Sequence, residues 1–239
     1  MSREYVGVLI GRQDLGETDR VLRFLTPDVG RLSVVARGAR RPRSPFATAD
    51  LGSRVRITVE EGPWELQRLQ GLELEEARVG LRADLDRLYG MLHLCECSAA
   101  LSREQVPEPR LYGLLEMALL LLEHGEGAAG PAFFRAFEAK ALSFAGLTPV
   151  LATCPVCRQK LHDPLVWVEG TGAAHRDCSG GEPISAAWVD AVEAGRRQPL
   201  KEVFGRPLPP GPWDLLIRMI EAQLGRPLGG RLAGPAVLG

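Results

Sequence analysis

Charge of one sign is not in excess in this chain: 29 basic side chains against 30 acidic leave a formal net charge of −1 over 239 residues. No global field therefore draws it to polyanions, and any affinity for nucleic acid has to come from uneven distribution. Cysteine is scarce and odd in number, five in all, which argues against a secreted disulfide scaffold. Long apolar runs are missing too. The run in MSREYVGVLIGR is too short for a secretory signal, and none approaches the roughly 18 residues of a membrane span. A cytoplasmic setting is expected. The phosphate-cradling pattern G-x-x-x-x-G-K-[ST] and the nucleophile elbow G-x-S-x-G are absent. The acid pairs Glu60–Glu61 and Glu75–Glu76 stand without a histidine or metal motif. No catalytic activity is expected.

What is present divides by period. Val6, Val8 and Ile10 alternate, as do Leu32, Val34 and Ala36, then Val55, Ile57 and Val59, each at the period of two that turns one face inward. With Val21–Thr26 and Glu65–Leu74 this makes about five strands. Five short strands with no helix between them predict a small barrel, since an open sheet would leave two edges to protect. Near residue 80 the spacing changes to three and four: Leu81, Leu85, Leu88, Leu92, Cys95 and Ala99, then Leu111, Leu114, Leu115, Ala118, Leu119 and Leu122. Cys95 and Cys97 read as small buried apolar residues there. A third helix opens at Pro131 and is ended by Gly146 and Pro149. A fourth is capped by Ser185 and a fifth starts at Pro212. The class is α+β. The expected division is a barrel over 1–79, a helical domain from 80–150 and 183–225, a metal-binding insertion at 151–182, and a flexible tail over 226–239.

The insertion carries Cys154, Cys157, His175 and Cys178. Two C-x-x-C-like pairs supply four ligands to one tetrahedral ion, and three sulfurs with one nitrogen point to zinc. Four good ligands leave no open position for substrate, so the expected role is structural. His162, Asp163 and Asp177 stand nearby as substitutes for a ligand.

Charge is segregated upstream. Between residues 31 and 56 lie Arg31, Arg37, Arg40, Arg41, Arg43, Arg54 and Arg56 against Asp50 alone, a local charge of +6. The densest part, ARGARRPRSPF, cannot be a regular strand because of Pro42 and Pro45. A basic, flexible loop on a small barrel is suited to tracking phosphates, and arginine holds them bidentately. Only Tyr5, Phe24, Phe46 and Trp64 are aromatic here, so backbone contact with little sequence preference is expected. The third helix, PAFFRAFEAKALSFAG, reads mostly as core. Arg135 and Lys140 are placed on its edge as a basic rim that could capture an acidic peptide with an apolar tip.

GETDRVLRFLTPDVGRLSVVARGARRPRS resembles the N-terminal signature of the bacterial RecO recombination-repair proteins, and FFRAFEAKALSFAGLTP followed by CPVC resembles their later helix and cysteine pair. The likeness spans roughly residues 4–180. It implies an N-terminal OB-fold, a helical domain and, as in some members, a zinc module. It further implies a non-enzymatic, nucleoid-associated mediator that binds single- and double-stranded DNA and anneals complementary strands. Such a mediator joins RecR, sometimes with RecF, and helps load RecA onto strands coated by single-stranded-DNA-binding protein (SSB). Capture of the acidic SSB tail on the helical domain would involve Arg135 and Lys140. His175 stands where a cysteine is usual. The alternative is an adaptor that bridges proteins with incidental DNA contact.

Overall fold

The computed structural model describes residues 2–60, 62, 66–225 and 227–228. Five strands come first: β1 Ser2–Leu15, β2 Asp19–Thr26, β3 Gly30–Ala36, β4 Arg54–Glu60 and β5 Gln67–Glu76. They close into a barrel in the order β1-β2-β3-β5-β4. The long first strand makes closure possible. Its first half pairs with β4 (Ser2–Glu60 to Val8–Arg54) and its second half with β2 (Val8–Leu25 to Leu15–Asp19), with a register shift between Leu9 and Gly11. A β-bulge of this kind bends one strand across two neighbours. The barrel is sealed by a short parallel ladder, Val34–Gln67 and Val35–Arg68. Glu65, expected at the start of β5, and Trp64 lie outside the described residues.

The barrel interior holds Leu22, Phe24, Leu32, Val34, Ala36, Val55, Ile57 and Val59. That agrees with the alternation in β3 and β4. In β1 it does not: the interior residue is Leu9, while Val8 and Ile10, though buried, lie outside that cluster. The helix α1 (Leu85–Leu101) packs on β1 and β2 from outside, so Gly7–Ile10 of β1 are buried on both faces and the alternation there names the wrong one.

The chain separates into two compact units, Met1–Glu123 and His124–Gly239. The first unit adds α1 and α2 (Pro109–His124) to the barrel, although the spacing assigns both helices to a domain beginning at 80. Cys95 and Cys97 are buried as expected, and burial pushes the Cys95 thiol up to about 12. Residues 125–130, GEGAAG, spell G-x-G-x-x-G. They join two helices, with no preceding strand to aim the glycines at a phosphate.

The second unit contains α3 (Pro131–Phe144), α4 (Ala186–Arg197), α5 (Leu200–Val203) and α6 (Leu215–Leu224). Ser185 caps α4 by accepting from the Trp188 N–H at 3.2 Å, as its position predicts. Between α3 and α4 lies a small sheet of β6 (Leu165–Val168), β7 (Gly172–His175) and β8 (Glu182–Ile184), in the order β7-β6-β8. Strands of three and four residues carry too little alternation to be read from sequence. Trp167 of β6 meets Trp188 of α4 edge to face at 6.2 Å between ring centres, which fixes the sheet on the helix. Gly172 has φ of 126°, and a Cβ there would stand 2.4 Å from the Val150 carbonyl oxygen. The expected flexible tail lies outside the described residues apart from Pro227 and Leu228.

Candidate nucleic-acid interface and metal centre

Four of the seven arginines stand together and exposed. Arg37, Arg40, Arg41 and Arg43 occupy the connection after β3. This connection is pinned where the sequence predicts flexibility. Ala39 is buried against the barrel interior. The Gly38 N–H donates to Asp19 at 2.8 Å, and the Arg40 N–H donates to the Thr18 carbonyl at 2.9 Å. Ser44 then caps a short 3-10 turn opened by Pro45. Gly38 and Arg43 take left-handed φ values of 65° and 61°, so the chain doubles back on itself within these residues. The result is a backbone-pinned platform beside the β1–β2 turn that carries four exposed arginines.

The carboxylates near it are already engaged. Asp19 is held below the usual carboxylate range by the Gly38 N–H, then by the Thr18 hydroxyl and the Arg37 and Arg41 cations. Asp14 is held down by its bond from Arg20, with Arg40 adding to it at 3.4 Å. Both stay anionic through neutral pH, trimming the platform's charge without cancelling it.

Arg40 is the most engaged of the four, donating from Nη1 to the Gly16 carbonyl at 2.9 Å besides its pairing with Asp14. The other three arginines lie on strands, and each faces carboxylates. Arg31 pairs with Glu104 at 3.0 Å. Arg56 pairs with Glu75 at 2.8 Å, and Arg54 reaches Glu75, Glu76 and Glu116 at 3.1, 3.7 and 3.8 Å. A run of like charges in the sequence is thus broken by acids from β5, α2 and the loop before it. Arg23 was not singled out by the charge count. Its guanidinium donates to Gln13 at 2.8 Å across the β1–β2 hairpin. A single cation in an alternating strand gives no signal of its own.

The four candidate metal ligands do come together. Their candidate donor atoms, on Cys154, Cys157, His175 and Cys178, all lie within 4.8 Å of one another. A tetrahedral zinc site with bonds of about 2.3 Å has ligand edges of about 3.8 Å, so small movements of rotatable thiols would complete it. Two turns present them. In the first, the Arg158 N–H bonds the Cys154 carbonyl at 2.9 Å and the Cys154 N–H bonds Gln159 at 2.8 Å. In the second, His175 ends β7 and the Cys178 N–H returns to its carbonyl at 3.0 Å.

The tautomer of His175 is set by its surroundings. Nε2 lies 3.2 Å from the Lys160 carbonyl, which only accepts, so Nε2 carries the proton. The lone pair on Nδ1 then faces Cys157 Sγ at 3.3 Å, inside the cluster. An outer partner of this sort is what orients a metal-bound imidazole. Burial works to raise the Cys154 thiol, but N–H donors of the turn and the neighbouring Cys157 outweigh it and bring it to about 6. Cys178 is pushed up to about 11 by burial and the crowding thiols. Asp163 is spent elsewhere, accepting from the Ala186 N–H at 2.9 Å.

Arg158 sits in this first turn with φ of 62°, a conformation that costs a residue with a Cβ about 1–2 kcal/mol. Glycine there removes that strain but loses more entropy on folding, which returns part of the gain. Arg158→Gly is expected to stabilise the protein by roughly 0.5 kcal/mol in urea unfolding, with metal content unchanged.

Comparison with known proteins decides the family. The family model for the N-terminal part of recombination protein O matches residues 1–78, and that for its C-terminal part matches 82–234. The chain belongs to the RecO family. A DNA repair protein RecO from Myxococcus xanthus is 33% identical over 205 residues, covering 85% of this chain and 83% of that protein. Another from Anaeromyxobacter sp. is 31% identical over 240 residues, covering 94% and 92%. One from Symbiobacterium thermophilum is 37% identical over 152 residues, covering 63% and 59%.

In this RecO-family chain the expected basic rim on α3 is not formed as the sequence suggests. Arg135 is 2% exposed and bonds Glu138, itself fully buried, at 2.6 Å. Its charge is turned into the helical core and is not offered at an edge. The apolar neighbours that suggest a groove are the walls of that core. Lys140 is partly buried and donates to the Arg196 carbonyl at 2.6 Å. Burial, followed by the nearby Arg196 cation, lowers its pKa. Among the described residues no helix is long and apolar enough to cross a membrane.

Proposed function

We propose that this RecO-family chain binds DNA through Arg37, Arg40, Arg41 and Arg43 and promotes annealing of complementary strands. The observation that carries this reading is the loop itself: four exposed arginines within seven residues, on one connection whose backbone is tied to a closed barrel. Neutralising phosphates on two strands at once reduces the repulsion that slows their meeting. Single- and double-stranded DNA are both acceptable partners, because contacts to the backbone carry no base preference. In the cell the chain acts with RecR, with or without RecF. It loads RecA onto strands coated by SSB, whose acidic C-terminal tail it engages. Arg135 is too deeply buried to be the tail's first contact, and Lys140 is the more accessible of the two. The metal is zinc in a structural role, held by Cys154, Cys157, His175 and Cys178, and the chain performs no catalysis.

The test is annealing of complementary oligonucleotides alongside fluorescence anisotropy across a salt series. Four phosphate contacts predict a log–log slope of about −3 on single strands and about −3.6 on duplex. A flat salt response, or tight binding of an acidic tail peptide with no annealing of naked strands, would overturn the reading in favour of a protein-bridging adaptor.

A further inference from the structure

The barrel's sealing ladder spans only Val34 and Val35 of β3, so the start of that strand is left with a free edge. The loop between α1 and α2 takes it. The Arg31 N–H donates to the Arg103 carbonyl at 3.1 Å, and the Gln105 N–H donates to the Arg31 carbonyl at 2.9 Å. The fit is close. Gly30 has φ of 64°, and a Cβ there would stand 1.8 Å from the Val106 carbonyl oxygen. Gln105 is itself held at φ of 55°, a conformation glycine favours.

Between the two backbone bonds lies Glu104, and its carboxylate is held by an unusual set of donors. One oxygen accepts from the Ser33 N–H at 2.7 Å; the other accepts from the Ser33 hydroxyl at 3.0 Å and from Arg31 Nε at 3.0 Å. Arg31 is anchored from behind by a 2.8 Å bond from Nη1 to the Ala99 carbonyl. A guanidinium, a backbone N–H and a hydroxyl converging on one anion are the donors that hold a phosphate. Closing a strand edge requires only the backbone bonds, so the charged part of this arrangement has no structural necessity. The side chains of Arg31 and Glu104 are 28% and 38% exposed, so a polyanion reaches the site once the Glu104 side chain swings aside. The β2–β3 face is also the one that oligonucleotide-binding barrels use.

We infer that Glu104 is a built-in phosphate surrogate. It fills an anion site made by Arg31 and Ser33, and keeps that site out of the DNA-binding surface until a phosphodiester of single-stranded nucleic acid takes its place. The inference rests on the DNA-binding reading above and adds to it a fifth, gated contact.

Glu104→Gln tests it, because the amide keeps the size and an acceptor oxygen while dropping the charge. Anisotropy with a single-stranded oligonucleotide should show binding roughly three- to tenfold tighter at about 50 mM salt, with a slope steeper by about 0.7. Arg31→Ala alone should stay within about twofold of the parent, since Arg31 is occupied there. Combined with Glu104→Gln, it should abolish the gain. Glu104→Asp is the second variant: it retains the charge but cannot span the same donors, and any gain it gives should also require Arg31. Unchanged affinity and slope in Glu104→Gln, or a gain that survives loss of Arg31, would overturn the inference. So would a gain for an extended peptide in place of the oligonucleotide, which would make the edge a strand-docking site. Alanine at Arg37, Arg40, Arg41 and Arg43 separates the two readings. If that leaves binding intact while Glu104→Gln still tightens it, the platform fails and the gated site stands.

Discussion

Cys154→Ser, or removal of bound metal by a chelator, should lower the thermal midpoint of the second unit by on the order of 15 °C, from a loss of about 3–5 kcal/mol. The geometry sets the size. The segment from Val150 to Ile184 has three short strands and two turns, and its donor atoms converge within 4.8 Å. Without an ion, three thiols and an imidazole crowd one another with little to hold them. The protonation states give the effect a pH dependence. With Cys154 near 6 and Cys178 near 11, metal binding at neutral pH finds the first thiol largely ionised and must expel the proton of the second. Raising the pH lowers the cost of releasing that proton and strengthens binding. Lowering it through 6 protonates Cys154 and weakens binding. Differential scanning calorimetry with metal analysis across pH 5–9 reads both trends. DNA affinity should stay within about twofold, because the four ligands and the four arginines fall in separate compact units. Loss of DNA binding with the melting profile intact would reverse the assignment and make the metal part of the interface.

How far the sequence reveals this molecule depends on the range of the interaction concerned. The clustering of the four candidate ligands was legible because two local turns each present a pair, and a pair at fixed spacing stays together in most packings. The alternation in β3 and β4 named the barrel interior correctly, because those strands have one apolar face. It failed in β1, where α1 covers the outer face and Val8 and Ile10 are buried on the opposite side from Leu9. Charge was legible as an amount and illegible as a surface. Arg54 and Arg56 look like Arg40 and Arg41 in the sequence, yet Glu75 sits 19 residues from Arg56 and bonds it across the sheet. Arg135 shows the same limit. A cation among phenylalanines marks either an amphipathic edge or a buried pair; Glu138 three residues on allows the pair, and only the packing that buries both groups decides for it.

Substituting alanine for Arg37, Arg40, Arg41 and Arg43 together should weaken DNA binding on the order of 10²- to 10³-fold at low salt and flatten the slope from about −3 toward zero on single strands. Each exposed guanidinium contributes through counterion release and a charge-assisted bond, and four of them account for most of the affinity the barrel can offer. Stability should change little, since the side chains are exposed and the loop is tied through backbone groups at Gly38 and Arg40 and through buried Ala39. Arg54→Ala with Arg56→Ala is the contrast. Those two face Glu75, Glu76 and Glu116, so they are expected to alter affinity no more than about twofold. Lysine at the four platform positions keeps the charge but loses the bidentate fork, so the slope should persist while affinity falls by about a tenth of the alanine effect on a logarithmic scale, roughly twofold. Annealing should follow the alanine series closely, because two strands must be neutralised at once and the rate depends on both. Should Arg54 and Arg56 matter as much as the loop, the phosphates would have to run along β4 and displace the acids of β5. The DNA path would then cross the other side of the barrel.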